Sequence, residues 1–122
     1  MGAIALGLQA CHDRIRRACE EAGRPVGEVT LLAVSKTFPA TAVREAWLAG
    51  QRAFGESYVQ EAVAKIASLA DLPIAWHFIG PLQSNKTRPV AEHFDWVHSV
   101  DRLSIAKRLS DARPVAMPAL NV

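Results

Sequence analysis

The chain has 122 residues, 50% of them hydrophobic and 21% charged, a balance that suits one globular domain or part of one. Its 14 basic and 12 acidic residues leave a formal net charge of +2, too slight and too dispersed for a nucleic-acid surface. No apolar run approaches the roughly 18 residues of a membrane span, and "MGAIALGLQACHDR" lacks a basic start, so neither membrane insertion nor export is expected.

Ile4, Leu8, Cys11, Ile15, Ala18 and Ala22 recur at intervals of three and four, which predicts an amphipathic helix stopped by Gly23 and Pro25. Arg14, Arg16, Arg17 and His12 read as its solvated face. Cys11 and Cys19 would lie roughly 12 Å apart along that helix. A disulfide needs Cα atoms within about 7 Å. The two thiols are therefore expected to stay free, which fits a reducing, cytoplasmic compartment.

Val29 to Val34 is a continuous apolar, β-rich run, expected as a strand buried on both faces. Pro39 opens a helix through Val43, Ala46 and Trp47 that Gly50 closes. "QRAFGE" reads as a second strand. Ser57 and Gln60 form a capping box for a helix carrying Val59, Ala62, Val63, Ile66 and Leu69. After a loop at Asp71 to Pro73, "IAWHFIG" is a third strand, and a shorter helix runs around Thr87 to His93. "DWVHSV" is a fourth strand, Asp101 caps a last helix through Leu103, Ala106 and Leu109, and "ALNV" begins a fifth strand after the loop "RPVAMP".

This order, a helix followed by four strand–helix units, predicts parallel strands with right-handed helical crossovers. An open doubly wound sheet and a (β/α)8 barrel both satisfy it. A barrel needs about 250 residues, so this chain would be half of one. In either case ligands bind at the carboxyl ends of the strands. Those ends carry Ser35-Lys36-Thr37, then Gly55-Glu56-Ser57-Tyr58, then His77 and "GPLQSNK", then His98, Ser99 and Asp101.

Lys36 has two readings. It is a solvated residue where a strand leaves the core, or its neutral amine adds to an aldehyde to form a Schiff base, most commonly with pyridoxal phosphate. "GPLQSNKT" nearly spells a phosphate-binding loop, but Asn85 stands at the second glycine position and Pro81 removes a backbone donor. The alternative is a helix start capped by Ser84 or Asn85. His77 lies between Trp76 and Phe78 and points away from both, either into a site or into the core. Glu56 is a general base or the partner of a nearby lysine. Tyr58, just inside a helix, reads as a packing residue. His98 has no evident partner, and no metal-ligand spacing is present.

Taken together and in order, "LLAVSKT", "FGESYVQEAVAKI", "WHFIGPLQSNK" and "FDWVHSVDR" resemble the pyridoxal phosphate homeostasis proteins (the YggS/PROSC family), from about Val29 to Asp111. The resemblance implies a parallel (β/α) barrel of the alanine racemase N-terminal-domain type with an extra N-terminal helix. Residues 1–122 would then be one partial barrel, about its first half. It also implies pyridoxal 5'-phosphate held as a Schiff base on Lys36, in cofactor homeostasis and without a catalysed reaction of its own. Ser57, where the family usually has Asn, and His77 would line the cofactor, with Ser35, Gln83, Asn85 and Lys86 at the rim.

"GPLQSNKT" then belongs to this family's motif and not to a nucleotide loop. The implied partners are the cofactor and acceptor enzymes that use it, with no nucleic acid and no membrane. The implied state is a monomer, although a half-barrel could pair its exposed edges. The short length is read as a fragment or truncation in preference to such pairing. Two alternatives stand beside this reading. One is a racemase-like enzyme, which would need a second acid–base group opposite Lys36. The other is a remnant that has lost the phosphate-binding late strands and with them the cofactor.

Overall fold

In the computed structural model, which describes residues 2–122, the apolar periodicity of the first segment becomes helix α1 (Ala3–Ala22). Gly23 ends it in the left-handed conformation (φ 68°), and the Arg24 N–H donates back to the Cys19 carbonyl at 2.9 Å. This is the glycine-terminated stop that free helix carbonyls favour. Ile4 and Leu8 pack against the core and Cys19 is buried, but Cys11 and Ala18 of the same stripe are exposed. Neither cysteine is bonded.

The four strand–helix units follow as predicted. Strand β1 (Ala33–Val34) leads to α2 (Ala40–Leu48), and β2 (Ala53–Glu56) to α3 (Val59–Ser68). Strand β3 (Ala75–Phe78) leads to α4 (Thr87–His93), and β4 (Trp96–Val97) to α5 (Leu103–Ala112). All three strand pairings are parallel and the spatial order is the chain order, β1-β2-β3-β4, with no reversal. Asn121 bridges in parallel to Trp96, so the predicted fifth strand does start against β4.

Register sorts the side chains of the sheet. Phe54 is level with Trp76, and Phe78 with Val97. These four are buried beneath the helices with Val43, Ala62, Val90, Phe94, Ile105 and Leu109. The phenyl rings of Phe78 and Phe94 meet edge to face at 5.4 Å. The alternate positions, Val34, Gly55, His77 and Trp96, project to the other face. That face is open: Val34 is 49% exposed and Trp96 39%.

Four local expectations are corrected. The first strand is not buried on both faces, because Val34 lies on the open face of the sheet and is 49% exposed. The Ser57–Gln60 capping box does not form; α3 starts one residue later, with Tyr58 in the N-cap position and no side-chain cap. Likewise α5 begins after Arg102 and not under an Asp101 cap, and a short 3-10 turn (Ser84–Lys86) leads into α4, leaving neither Ser84 nor Asn85 as its cap.

Phe78 is 1% exposed at the centre of the core. Phe78→Ala is expected to cost about 3–5 kcal/mol through lost contacts and the cavity left behind. The measurement is the urea midpoint at constant slope. A loss near zero would place the core elsewhere.

Candidate functional site

Strand β1 ends in Ser35, whose side chain turns inward. Its hydroxyl donates to the Glu56 carboxylate at 2.5 Å, and its backbone N–H to the Gly55 carbonyl at 2.9 Å. Glu56 is wholly buried at the end of β2, so its charge needs a partner. Lys65, on α3 one turn beyond Glu61, supplies it. Lys65 Nζ donates to Glu56 Oε2 at 2.8 Å, to the Ser35 carbonyl at 2.8 Å and to Glu61 Oε1 at 3.1 Å. That uses all three protons of the ammonium group. Glu56 Oε1 is left without a hydrogen-bond partner among the described residues.

Glu61 carries the network outward. Its Oε1 also accepts the Thr37 N–H at 2.7 Å. Desolvation pushes the Glu61 carboxyl up, but hydrogen bonds from Lys65 and Thr37 and the charge of Lys65 outweigh it and hold the group below its ordinary range. Thr37 has φ of 70°, a left-handed conformation that a β-branched residue rarely adopts. Such a backbone costs about 1–3 kcal/mol and persists only when its surroundings over-determine it.

Between these two anchored residues stands Lys36. It is exposed, and its amine makes no salt bridge among the described residues. Its Nζ lies 6.0 Å from the centre of the Tyr58 ring, at the limit of a cation–π contact. Tyr58 is 52% exposed, which corrects its reading as a packing residue. A cleft of about 580 Å³ lies beside this ring, lined among others by Ser57, Tyr58, Gln83 and Lys86. Gly80, at φ 111°, brings the third-strand loop against it: a Cβ there would sit 3.3 Å from Ser57 Cβ.

On the open face, His77 stacks on Trp96 with centroids 5.4 Å apart and rings 1° from parallel. His77 Nδ1 lies 2.8 Å from His98 Nε2, one ring donating and the other accepting. Burial lowers the His77 pKa, the neighbouring His98 lowers it further, and Asp95 partly opposes both. His77 is thus not a core histidine.

The predicted residues divide accordingly. Ser57, Gln83 and Lys86 share the cleft, and Lys36 reaches its Tyr58 wall. Asn85 faces a different depression, beside Arg88 and Arg108. Ser35 is a buried anchor and not a rim residue. His77 lies on the open face and does not line the cleft. Glu56 takes its ion-pair reading. Sequence reasoning misses Glu61, Lys65 and the His77–His98 contact. The one signal present is the i, i+4 spacing of Glu61 and Lys65; the histidines sit on separate strands and meet only through register.

No family model matches the sequence. Over its full 122 residues the chain is 64% identical to the pyridoxal phosphate homeostasis protein of Pseudomonas aeruginosa and covers 53% of that protein. Against the Escherichia coli K12 protein of the same name, the identity is 58% over 125 aligned positions, again covering the whole chain and 53% of the relative. PipY of Synechococcus elongatus PCC7942, solved with PLP bound, superposes with a TM-score of 0.69 at 52% identity, over 80% of this chain and 47% of that one. A solved structure described as an unknown protein from Bifidobacterium adolescentis gives a TM-score of 0.83 at 37% identity, over 88% and 48%.

The chain is therefore a parallel α/β protein of the kind that PipY exemplifies. Along its whole length it is similar to proteins named pyridoxal phosphate homeostasis protein, and it spans about half the length of the curated relatives it matches. No helix among its described residues is long and apolar enough to cross a membrane.

Lys65→Met strands the Glu56 charge in the core and is expected to cost about 3–5 kcal/mol in urea unfolding. Adding Glu56→Gln should recover part of that loss; no recovery would mean that the two groups do not act as a pair. The depressed His77 pKa gives a second test. Between the folded pKa and the ordinary value of 6.5 the unfolded chain binds more protons, so stability falls as pH drops below about 6.5. Thermal melts from pH 8 to 5 should show this limb, flattened in His77→Gln; an unchanged limb would assign it to other groups.

Proposed function

We propose that this chain binds pyridoxal phosphate in cofactor homeostasis, holding it as a Schiff base on Lys36 without a catalysed reaction of its own. The observation that carries this reading is the contrast between two lysines. Lys65 has every proton engaged in a buried network, whereas Lys36 is left unpaired at a strand's carboxyl end, between two residues that the network holds.

The surroundings fit the group. An aromatic ring stands beside the amine, and the adjoining cleft offers a hydroxyl (Ser57), an amide (Gln83) and a cation (Lys86). These suit an anionic aromatic aldehyde. When bound, the cofactor supplies an aldehyde carbon that the amine condenses with, releasing water. Tyr58 would flank its ring, and Ser57, Gln83 and Lys86 would supply polar contacts. His77 lies on the open sheet face, stacked on Trp96, and is not among these contacts.

The architecture supports reading residues 1–122 as one unit, the first half of a (β/α)8 barrel. Four parallel strands follow in chain order, with helices over one face. The remaining strands would cover Val34 and Trp96 and bring the phosphate cup that late barrel strands carry. The whole protein would act as a monomer in the cytoplasm and release cofactor to the enzymes that use it.

The test is direct. The chain is incubated with pyridoxal phosphate, its absorption spectrum recorded, the adduct reduced with borohydride, and the modified peptide mapped by mass. The expected result is stoichiometric label on Lys36 that Lys36→Ala abolishes. Label scattered over surface lysines, or none, would overturn the reading.

A further inference from the structure

Thr37 is the one non-glycine residue with positive φ among the described residues. A β-branched residue stays there only where its surroundings hold it. The turn's own bond, Phe38 N–H to the Ser35 carbonyl at 3.1 Å, closes it locally, and the long-range hold comes from Glu61, 24 positions along the chain. Glu61 sits in the first turn of α3, where a carboxylate would ordinarily satisfy the helix's own free N–H groups. It does not do so: α3 has no side-chain cap, and Oε1 instead spans to the Thr37 N–H at 2.7 Å. Lys65 fixes that oxygen from behind at 3.1 Å and ties the Ser35 carbonyl at 2.8 Å. Both neighbours of Lys36 are therefore held by one cluster on β2 and α3, while Lys36 itself stays outside it.

We propose that Glu61 is the positioning residue of Lys36. By clamping the left-handed Thr37 turn, its carboxylate fixes the backbone from which the Lys36 amine projects toward the Tyr58 ring. This inference rests on reading Lys36 as the cofactor lysine and adds how that amine is aimed. A clamp of this kind gains most from a charged acceptor, since hydrogen bonds to ionised groups are the stronger ones.

A merely structural Glu61 would act through the stability of α3, whatever residue occupies position 37. A clamp acts through the strain at that position. Glycine adopts positive φ without penalty, so Thr37→Gly removes the need for the clamp. The experiment is a double-mutant cycle on the full 122-residue chain. Pyridoxal phosphate affinity is read from absorption and from borohydride-fixed label on Lys36, in wild type, Glu61→Ala, Thr37→Gly and the double variant. Glu61→Ala is expected to weaken labelling of Lys36 about tenfold in the wild-type background and less than about twofold in the Thr37→Gly background. Glu61→Gln, which keeps the shape and an acceptor oxygen, should show the same ordering with a smaller loss, and it replaces the alanine variant if that one does not fold.

A second readout needs no cofactor. The Thr37 amide proton should exchange slowly in wild type and rapidly in Glu61→Ala, as followed by NMR. Equal effects of Glu61→Ala in both backgrounds, or no effect while wild type labels at Lys36, overturn this inference alone. Wild type that fails to label at Lys36 overturns the functional reading and the positioning role together.

Discussion

The buried Glu56–Lys65 pair is the constraint around which the exposed end of this sheet is arranged. Glu56 is wholly buried on the helix-covered face of β2, and an ionised carboxylate there is untenable without a partner. Lys65 reaches it from α3 at 2.8 Å, which fixes the helix against the strand ends. The remaining protons of Lys65 and the second acceptor capacity of Glu56 Oε2 are then spent on Ser35 and Glu61. A single charge pair thereby links β1, β2, α3 and the turn that follows β1. Its net contribution to stability is small, because desolvation offsets attraction. Its consequence is geometric: Ser35 and Thr37 have one arrangement that satisfies the cluster.

That arrangement separates two lysines of identical chemistry. Lys65 is saturated and inaccessible, so its amine has no capacity for addition to a carbonyl. Lys36 is exposed and, among the described residues, makes no salt bridge; it stands one residue from a strained φ. Strain of this sort is retained where a backbone direction matters more than local stability. The fold supplies the hold across the strand–helix interface, by hydrogen bonds between residues 9 to 30 positions apart.

The sheet itself is two-sided in a way that bears on function. One face is a packed core of Phe54, Trp76, Phe78 and Val97 under the helices. The other carries Gly55, His77 and Trp96 and is partly open, with the His77–Trp96 stack and the His77–His98 contact in place. Polar and aromatic groups gathered on one face at strand ends are what a ligand site in a parallel α/β protein requires. An apolar residue such as Val34 on the same face is what a continuing sheet would cover.

Much of this is legible in the residue order. Hydrophobic periodicity locates every α-helix and strand, and α4 matches its expected span of Thr87–His93, because a repeating burial pattern is a local property of the chain. Helix starts are less legible. Ser57 and Asp101 have capping chemistry, yet at each start the chain enters the helix one residue further on, and the caps lose their geometry. The four strand-end motifs also identify the relatives from sequence alone. What only the tertiary structure decided is which charged groups meet. Glu56 with Lys65, Thr37 with Glu61, and His77 with His98 are set by strand register and by how α3 lies across β1 and β2. No short-range pattern encodes those distances, so the residues at the strand ends could be read from the chain, and the contacts that hold them could not.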